Sequence, residues 1–166
     1  MTRRMVKLIT ADDFFSPEEV LSLYHITNNL KFSPTDYGTE VENFNLVAPD
    51  MSDIFSKVVG ETIIIDEEHS GIFRRPIINI HFESFETPEE WCFAVALEQC
   101  TFNIYKHLSG AKSALEEYRF NYRNLFEWDY HTNILLEPGQ GLFYRPWLFH
   151  SFNGGLIQTF KMKTDK

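Results

Sequence analysis

His81-Phe82-Glu83 sets an imidazole and a carboxylate two residues apart, and His150 closes an apolar run much later in the chain. In an extended strand, residues i and i+2 leave from the same face, so both side chains of the first pair reach one point. Neutral imidazoles and ionised carboxylates are the usual protein ligands of divalent first-row metals. Asp129-Tyr130-His131 repeats that spacing shortly before His150. Two ligand pairs are therefore open from the residues alone, one of His81 and Glu83 and one of Asp129 and His131.

The elements around these residues must hold them. A strand from Phe126 to Leu136 runs into the Pro138-Gly139 turn. A second, Gly141 to Phe149, meets Pro146 and delivers His150. Gly154-Gly155 then breaks the chain before a last strand, Leu156 to Met162. Upstream, Thr62–Ile65 reads as a β-branched strand, Asp66 to Gly71 as a solvated turn, and 72–83 as a strand with an irregularity at Pro76. Apolar segments Phe93–Leu97 and Cys100–Tyr105 follow, and Lys112–Tyr118 suits a short helix.

The first third reads differently. Val6–Ile9 is a short strand. Ser16-Pro17-Glu18-Glu19 is a helix start, with Ser16 as cap, Pro17 at the first helical position and Glu19 completing a capping box. Leu23, Ile26 and Leu30 continue it as an apolar stripe. Residues 33–43 read as a polar loop. Asp50 or Ser52 caps a second helix carrying Ile54, Phe55, Val58 and Val59, with Gly60 as its stop. Two helices and about seven or eight strands predict a mainly β (α+β) chain of one domain, 1–166. Residues 1–60 supply a strand and helical layer, and 61–166 a β core.

Composition excludes several classes. The net charge is −9, which argues against a general nucleic-acid binder, because phosphate contacts need clustered Lys and Arg. Aromatic residues make up 16%, with 16 Phe, and favour a β-rich interior. Cys92 and Cys100 do not make a disulfide framework and suit a reduced, cytoplasmic setting. No apolar run approaches the roughly 20 residues that span a bilayer, and the N-terminus lacks an apolar signal core. No membrane partner is expected.

Strand, Pro-Gly turn, Pro146-x-x-x-His150, glycine break and final strand resemble the closing strands of the double-stranded β-helix in iron(II)/2-oxoglutarate-dependent oxygenases. His81-Phe82-Glu83 stands where that family keeps its His-x-Asp or His-x-Glu pair. The opening strand, acidic-aromatic step and Ser16-Pro17-Glu18-Glu19 helix resemble the prolyl-hydroxylase-like branch. The resemblance implies a jelly-roll or cupin-like β-helix with N-terminal helices packed outside it. It also implies iron(II) held by His81, Glu83 and His150, with 2-oxoglutarate as co-substrate. The substrate would be a small molecule or a protein side chain. Glu83 departs from the aspartate that the family mostly uses. The Gly141…Pro146…His150 run is also similar to a cupin's, which would take Asp129, His131 and His150 instead. Ahead of the cupin reading stands an alternative from a different class, a non-catalytic β-helix that binds a partner or ligand without iron.

The resemblance places a cation on the last strand for the distal carboxylate of 2-oxoglutarate. Gln158 stands about where an arginine is expected. It can donate a hydrogen bond but cannot neutralise a charge. Lys161 serves instead if the register turns it inward. Tyr105 and Tyr144 are candidates for a phenolic hydrogen bond to the co-substrate, and as amphipathic barrel residues they need no such role. Arg74, Arg75 and Arg145 carry charge that the sequence does not place. Trp128 and Trp147 read as barrel-rim packing.

Overall fold

A computed structural model of the chain describes residues 7–12, 14–28, 32–35, 38–41, 52–74, 80–83 and 85–164. Two antiparallel sheets face each other. The larger has the order β1 (Leu8–Ala11), β8 (Gly141–Tyr144), β5 (Trp91–Ala96), β10 (Leu156–Thr164), β4 (Ile63–Arg74), β3 (Gly38–Val41) and β2 (Phe32–Thr35). The smaller has the order β7 (Trp128–Leu136), β6 (Cys100–His107) and β9 (His150–Asn153). Apart from the consecutive pairs β2–β3, β3–β4 and β6–β7, neighbours in space are distant in sequence, which is the crossing pattern of a double-stranded β-helix.

Strand alternation divides the apolar residues into two cores. Cys92, Ala94 and Ala96 of β5, Tyr144 of β8 and Ile157 of β10 face Phe102, Ile104 and Phe152 of the smaller sheet. The alternate residues Trp91, Phe93, Val95, Phe143, Leu156, Phe160 and Met162 form the second core with Phe15, Phe55, Val20 and Leu23. Helices α1 (Pro17–Asn28) and α2 (Ser52–Val59) thus cover the outer face of the larger sheet. Phe55 is fully buried among Phe93, Phe143 and Phe160, with ring centroids 4.9, 5.6 and 5.1 Å away. Its loss would cost about 3–5 kcal/mol, as for other buried aromatics.

Local chemistry sets the element ends. In α1 the capping box forms as expected: Glu19 N donates to Ser16 Oγ and Ser16 N to Glu19 Oε1, both at 3.1 Å. Gly60 ends α2 at φ +76°. Gly139 takes φ +93°, and a Cβ there would stand 2.6 Å from the Phe15 carbonyl oxygen. Glycine at that turn is what lets the β7–β8 connection close against the segment before α1.

Several expectations are corrected. The polar loop at 33–43 contains a hairpin, β2 and β3. The turn at Asp66–Gly71 is instead part of β4, which runs unbroken for 12 residues. Its register on β10 shifts between Thr159 and Lys161, so a bulge takes up the irregularity there. Lys112–Tyr118 forms turns rather than a helix, and a short 3-10 helix occupies Leu125–Glu127. β8 stops at Tyr144, because Arg145 to Phe149 leave the sheet before β9 begins. Pro76 and the cap at Asp50 lie outside the described residues. Both cysteines are free and buried.

Candidate metal centre

His81 and His150 form an isolated antiparallel bridge. His81 N donates to His150 O at 3.0 Å, and His150 N to His81 O at 2.9 Å. Directly opposed residues project from the same face, so both imidazoles enter the space between the sheets. Glu83, two residues on, is tied by its N–H to the Pro146 carbonyl at 2.8 Å. Pro146 has no N–H to return, so the pairing ends there.

The segment after Glu83 is anchored by the residues just before His150. Trp147 Nε1 donates to the Pro88 carbonyl at 2.8 Å. Arg145 Nη1 donates to the Glu89 carbonyl at 2.6 Å, while its guanidinium lies 3.5 Å from the centre of the Trp91 ring. The Glu90 carboxylate, itself buried, accepts from the backbone of Glu86 and Thr87. One side of the site thereby holds the other.

At the centre, His150 Nε2 lies 2.8 Å from Glu83 Oε2, and His81 Nε2 lies 3.4 Å from Glu83 Oε1. One donor atom from each of the three residues falls within 4.8 Å of the others. Two ligands in adjacent positions on a metal at 2.0–2.2 Å are themselves about 3 Å apart. His150 Nε2 and Glu83 Oε2 are buried and not aligned to hydrogen-bond each other. Two imidazole nitrogens and one carboxylate, with donor atoms left unsatisfied in a buried space, fit a divalent metal that keeps open positions. His150 Nδ1 is 2.6 Å from the Leu148 carbonyl. That contact puts a proton on Nδ1 and turns Nε2 toward the site.

The electrostatics agree. Burial works to raise the Glu83 pKa. The His150 and His81 imidazoles outweigh it and hold the carboxyl well below the usual carboxylate range. Tyr144 stands in the same space, with its ring 4.9 Å from that of His150. Burial, the Glu83 charge and the Cys92 thiol push its phenol well above the usual range, so it stays protonated. Burial and Glu83 also raise the Cys92 thiol, while Lys161 opposes them.

The remaining candidates separate by face. Lys161 pairs with Cys92 across β10 and β5, so it shares the inner face, and it is 8% exposed. Gln158 pairs with Val95 and Ile72, both in the outer core. It therefore faces the helices, and the expectation that it meets the co-substrate is corrected by strand parity. The Tyr105 phenol is bound to Ser151 Oγ at 2.7 Å. Ser151 follows His150 on β9 and leaves from the opposite face, so Tyr105 does not join the centre. Asp129 and His131 are exposed on β7, with β6 between them and β9. The cupin-like set of Asp129, His131 and His150 does not assemble. Sequence reasoning missed Cys92 beside the site and the backbone anchoring by Arg145 and Trp147. Only Pro146 signalled that this turn was special.

No family model matches the chain, and neither does any curated protein. Among solved structures it is similar to HygX from Streptomyces hygroscopicus, determined with nickel, 2-oxoglutarate and hygromycin B bound. The TM-score is 0.65 at 9% identity, over 95% of this chain and 83% of that one. SnoN, a non-heme α-ketoglutarate-dependent epimerase from nogalamycin biosynthesis, gives 0.61 at 12% identity, covering 95% and 78%. EctD from S. alaskensis, in its apo form, gives 0.54 at 14%, covering 93% and 72%. At such identities the likeness establishes the architecture alone, and the chain has the double-stranded β-helix fold.

Proposed function

We propose that this protein is an iron(II)- and 2-oxoglutarate-dependent oxygenase, with His81, Glu83 and His150 as its metal ligands. The observation that carries the reading is the convergence of these three donor groups inside a double-stranded β-helix. Iron(II) there would supply the coupling of 2-oxoglutarate decarboxylation, by dioxygen, to hydroxylation of a substrate C–H bond, yielding succinate and carbon dioxide.

The chain's own residues have definable parts. The Leu148 carbonyl orients His150. Glu83, held ionised, offers one negative charge against the metal's two, so the centre stays attractive to an anionic keto-acid. Lys161, on the inner face, meets the distal carboxylate and offsets a desolvation cost of several kcal/mol. Tyr144 keeps its proton and donates a hydrogen bond. Phe102, Phe152 and Ile157 keep water from the inner end. Access is from the side of Glu83 and His81, which are 28% and 15% exposed. The substrate is a small molecule or a protein side chain. The helix start at Ser16 and the step before it favour the prolyl-hydroxylase-like branch. The free thiols suit the cytoplasm. No described helix is long and apolar enough to cross a membrane.

The test is succinate formation from 2-oxoglutarate by purified protein with iron(II), ascorbate and air. Turnover above a metal-free control that vanishes in His150→Ala supports the proposal. A second reading, a metal-free binding protein of the same fold, draws on the Glu83–His150 contact, which can stand as an ion pair without metal. Absence of succinate, with His150→Ala lowering only the melting temperature, selects that reading.

A further inference from the structure

We propose that the open seam between the two sheets binds a small dianionic molecule, a phosphomonoester or a dicarboxylate, at a site separate from the metal ligands. A cavity of about 220 Å³ opens there, and Lys7, Lys106, Lys112 and His131 line it. Its floor includes Ile104 and Leu148. The volume lies below the 300–1,000 Å³ of pockets for drug-sized ligands and suits a metabolite-sized one.

Three observations point to an anion. First, among the described residues none of the three ammonium groups makes an ion pair, although the chain carries a net charge of −9. Lysines that line one cavity without making ion pairs repel one another, and a bound anion relieves that repulsion. Second, the neighbouring acids are not used against them. Glu116 turns its carboxylate to the Lys112 backbone N–H at 2.7 Å. Asp129, opposite Lys106 on β7, is exposed and makes no ion pair with it. Third, the backbone is built to gather these side chains. The β6–β7 register slips between Ile104 and Tyr105: Thr132 pairs with Ile104 and Tyr130 with Tyr105, leaving His131 as the extra residue. Adjacent strand residues normally face opposite sides. The bulge lets His131 and Thr132 both reach the cavity, and Ile104, Tyr105 and Lys106 likewise.

The site stands beside the metal centre. Ile104 is the cross-strand partner of His150, and Leu148 holds the His150 ring through its carbonyl. Binding in the seam needs no metal, so the proposal stands or falls independently of the oxygenase reading.

Metal-free protein is titrated at low salt with inorganic phosphate in one arm and succinate in another, followed by NMR of the His131 ring and the Thr132 and Lys106 amides. Saturable shifts confined to these residues are expected, weakened at least tenfold in Lys106→Gln/Lys112→Gln and unchanged in Lys57→Gln on α2. Preference for one probe names the anion class. Non-saturating shifts, equal response in the double variant, or equal loss in the Lys57→Gln control would each overturn the proposal.

Discussion

His150 Nε2 and Glu83 Oε2 lie 2.8 Å apart, and neither is aligned to hydrogen-bond the other. Two buried polar atoms at that distance would ordinarily settle into a straight bond. Here their groups are fixed from behind, His150 by Leu148 and its backbone bridge to His81, and Glu83 by Pro146. With His81 they bring one donor atom each within 4.8 Å of the others. That preorganisation is what a metal exploits, since ligands already in position lose little freedom on binding.

The Glu83 carboxyl gives a pH dependence with a definite sign. Its folded pKa is depressed below the ordinary value by the two imidazoles, against the effect of burial. A depressed pKa contributes stability above the unfolded carboxylate pKa, and that contribution is lost as pH falls toward the folded one. Chelated wild type should therefore exceed Glu83→Gln in melting temperature at pH 7, with the gap closing in strongly acidic solution. A gap that stays constant from pH 7 to pH 3 would mean that Glu83 stabilises by packing and not by charge.

Lys161 and Lys163 sit two apart on β10 in different settings. Lys161 is 8% exposed behind Cys92, whereas the Lys163 side chain is 45% exposed and reaches Glu86 at 3.4 Å. Lys161→Ala should weaken 2-oxoglutarate binding by at least tenfold, measured anaerobically with iron(II) by calorimetry, while Lys163→Ala should change it little. Equal, small effects from both would put the counter-charge elsewhere or remove 2-oxoglutarate as the ligand.

Much of this was legible in the sequence, for physical reasons that can be named. The Ser16 capping box and Gly60 stop are local chemistry, so α1 and α2 read correctly. His81, Glu83 and His150 were readable because strand parity and one proline fix where side chains go. Asp66 to Gly71 misled because polar residues and glycine read as a turn, while pairing with β10 holds that stretch extended. The β2–β3 hairpin was invisible because polar residues there are carried by the neighbouring strand β4. Gln158 misled by position: counting from His150 gives its place along the strand, but only the pairing partners reveal its face. The Arg145 and Trp147 contacts link side chains to distant carbonyls, and no spacing rule encodes them.

The anchoring of the Glu83 segment by Trp147 is testable because phenylalanine keeps the ring in its buried site and deletes only the indole N–H. Losing the bond to the Pro88 carbonyl costs about 0.5–1.5 kcal/mol. Outer partners of metal ligands typically change metal affinity by 10–100-fold when lost. Trp147→Phe should thus weaken metal binding up to about tenfold, near the lower end of that range, with a small fall in melting temperature. Arg145→Met, which also loses the Glu89 bond and the Trp91 stack, should weaken it further. Unchanged metal affinity in both variants would show that His81 and Glu83 are positioned by their backbone bridges alone.

Gln158 is fully buried in the outer core, and among the described residues neither amide atom has a hydrogen-bond partner. Its flanking partners, Ile72 and Val95, offer only apolar contact. A buried polar group left unsatisfied costs about 1–3 kcal/mol, and replacing it by an apolar side chain of similar shape recovers that cost. Methionine has nearly the same length and adapts to irregular space. Gln158→Met should therefore raise stability by about 1–3 kcal/mol, seen as a melting-temperature increase of about 2–4 °C per kcal/mol. Metal and 2-oxoglutarate binding should stay at wild-type strength, since the residue lies on the face of β10 away from His150. A fall in melting temperature would show that the amide has a buried partner in solution. A loss of 2-oxoglutarate binding without a loss of stability would return Gln158 to the co-substrate site and overturn the assignment of faces on β10.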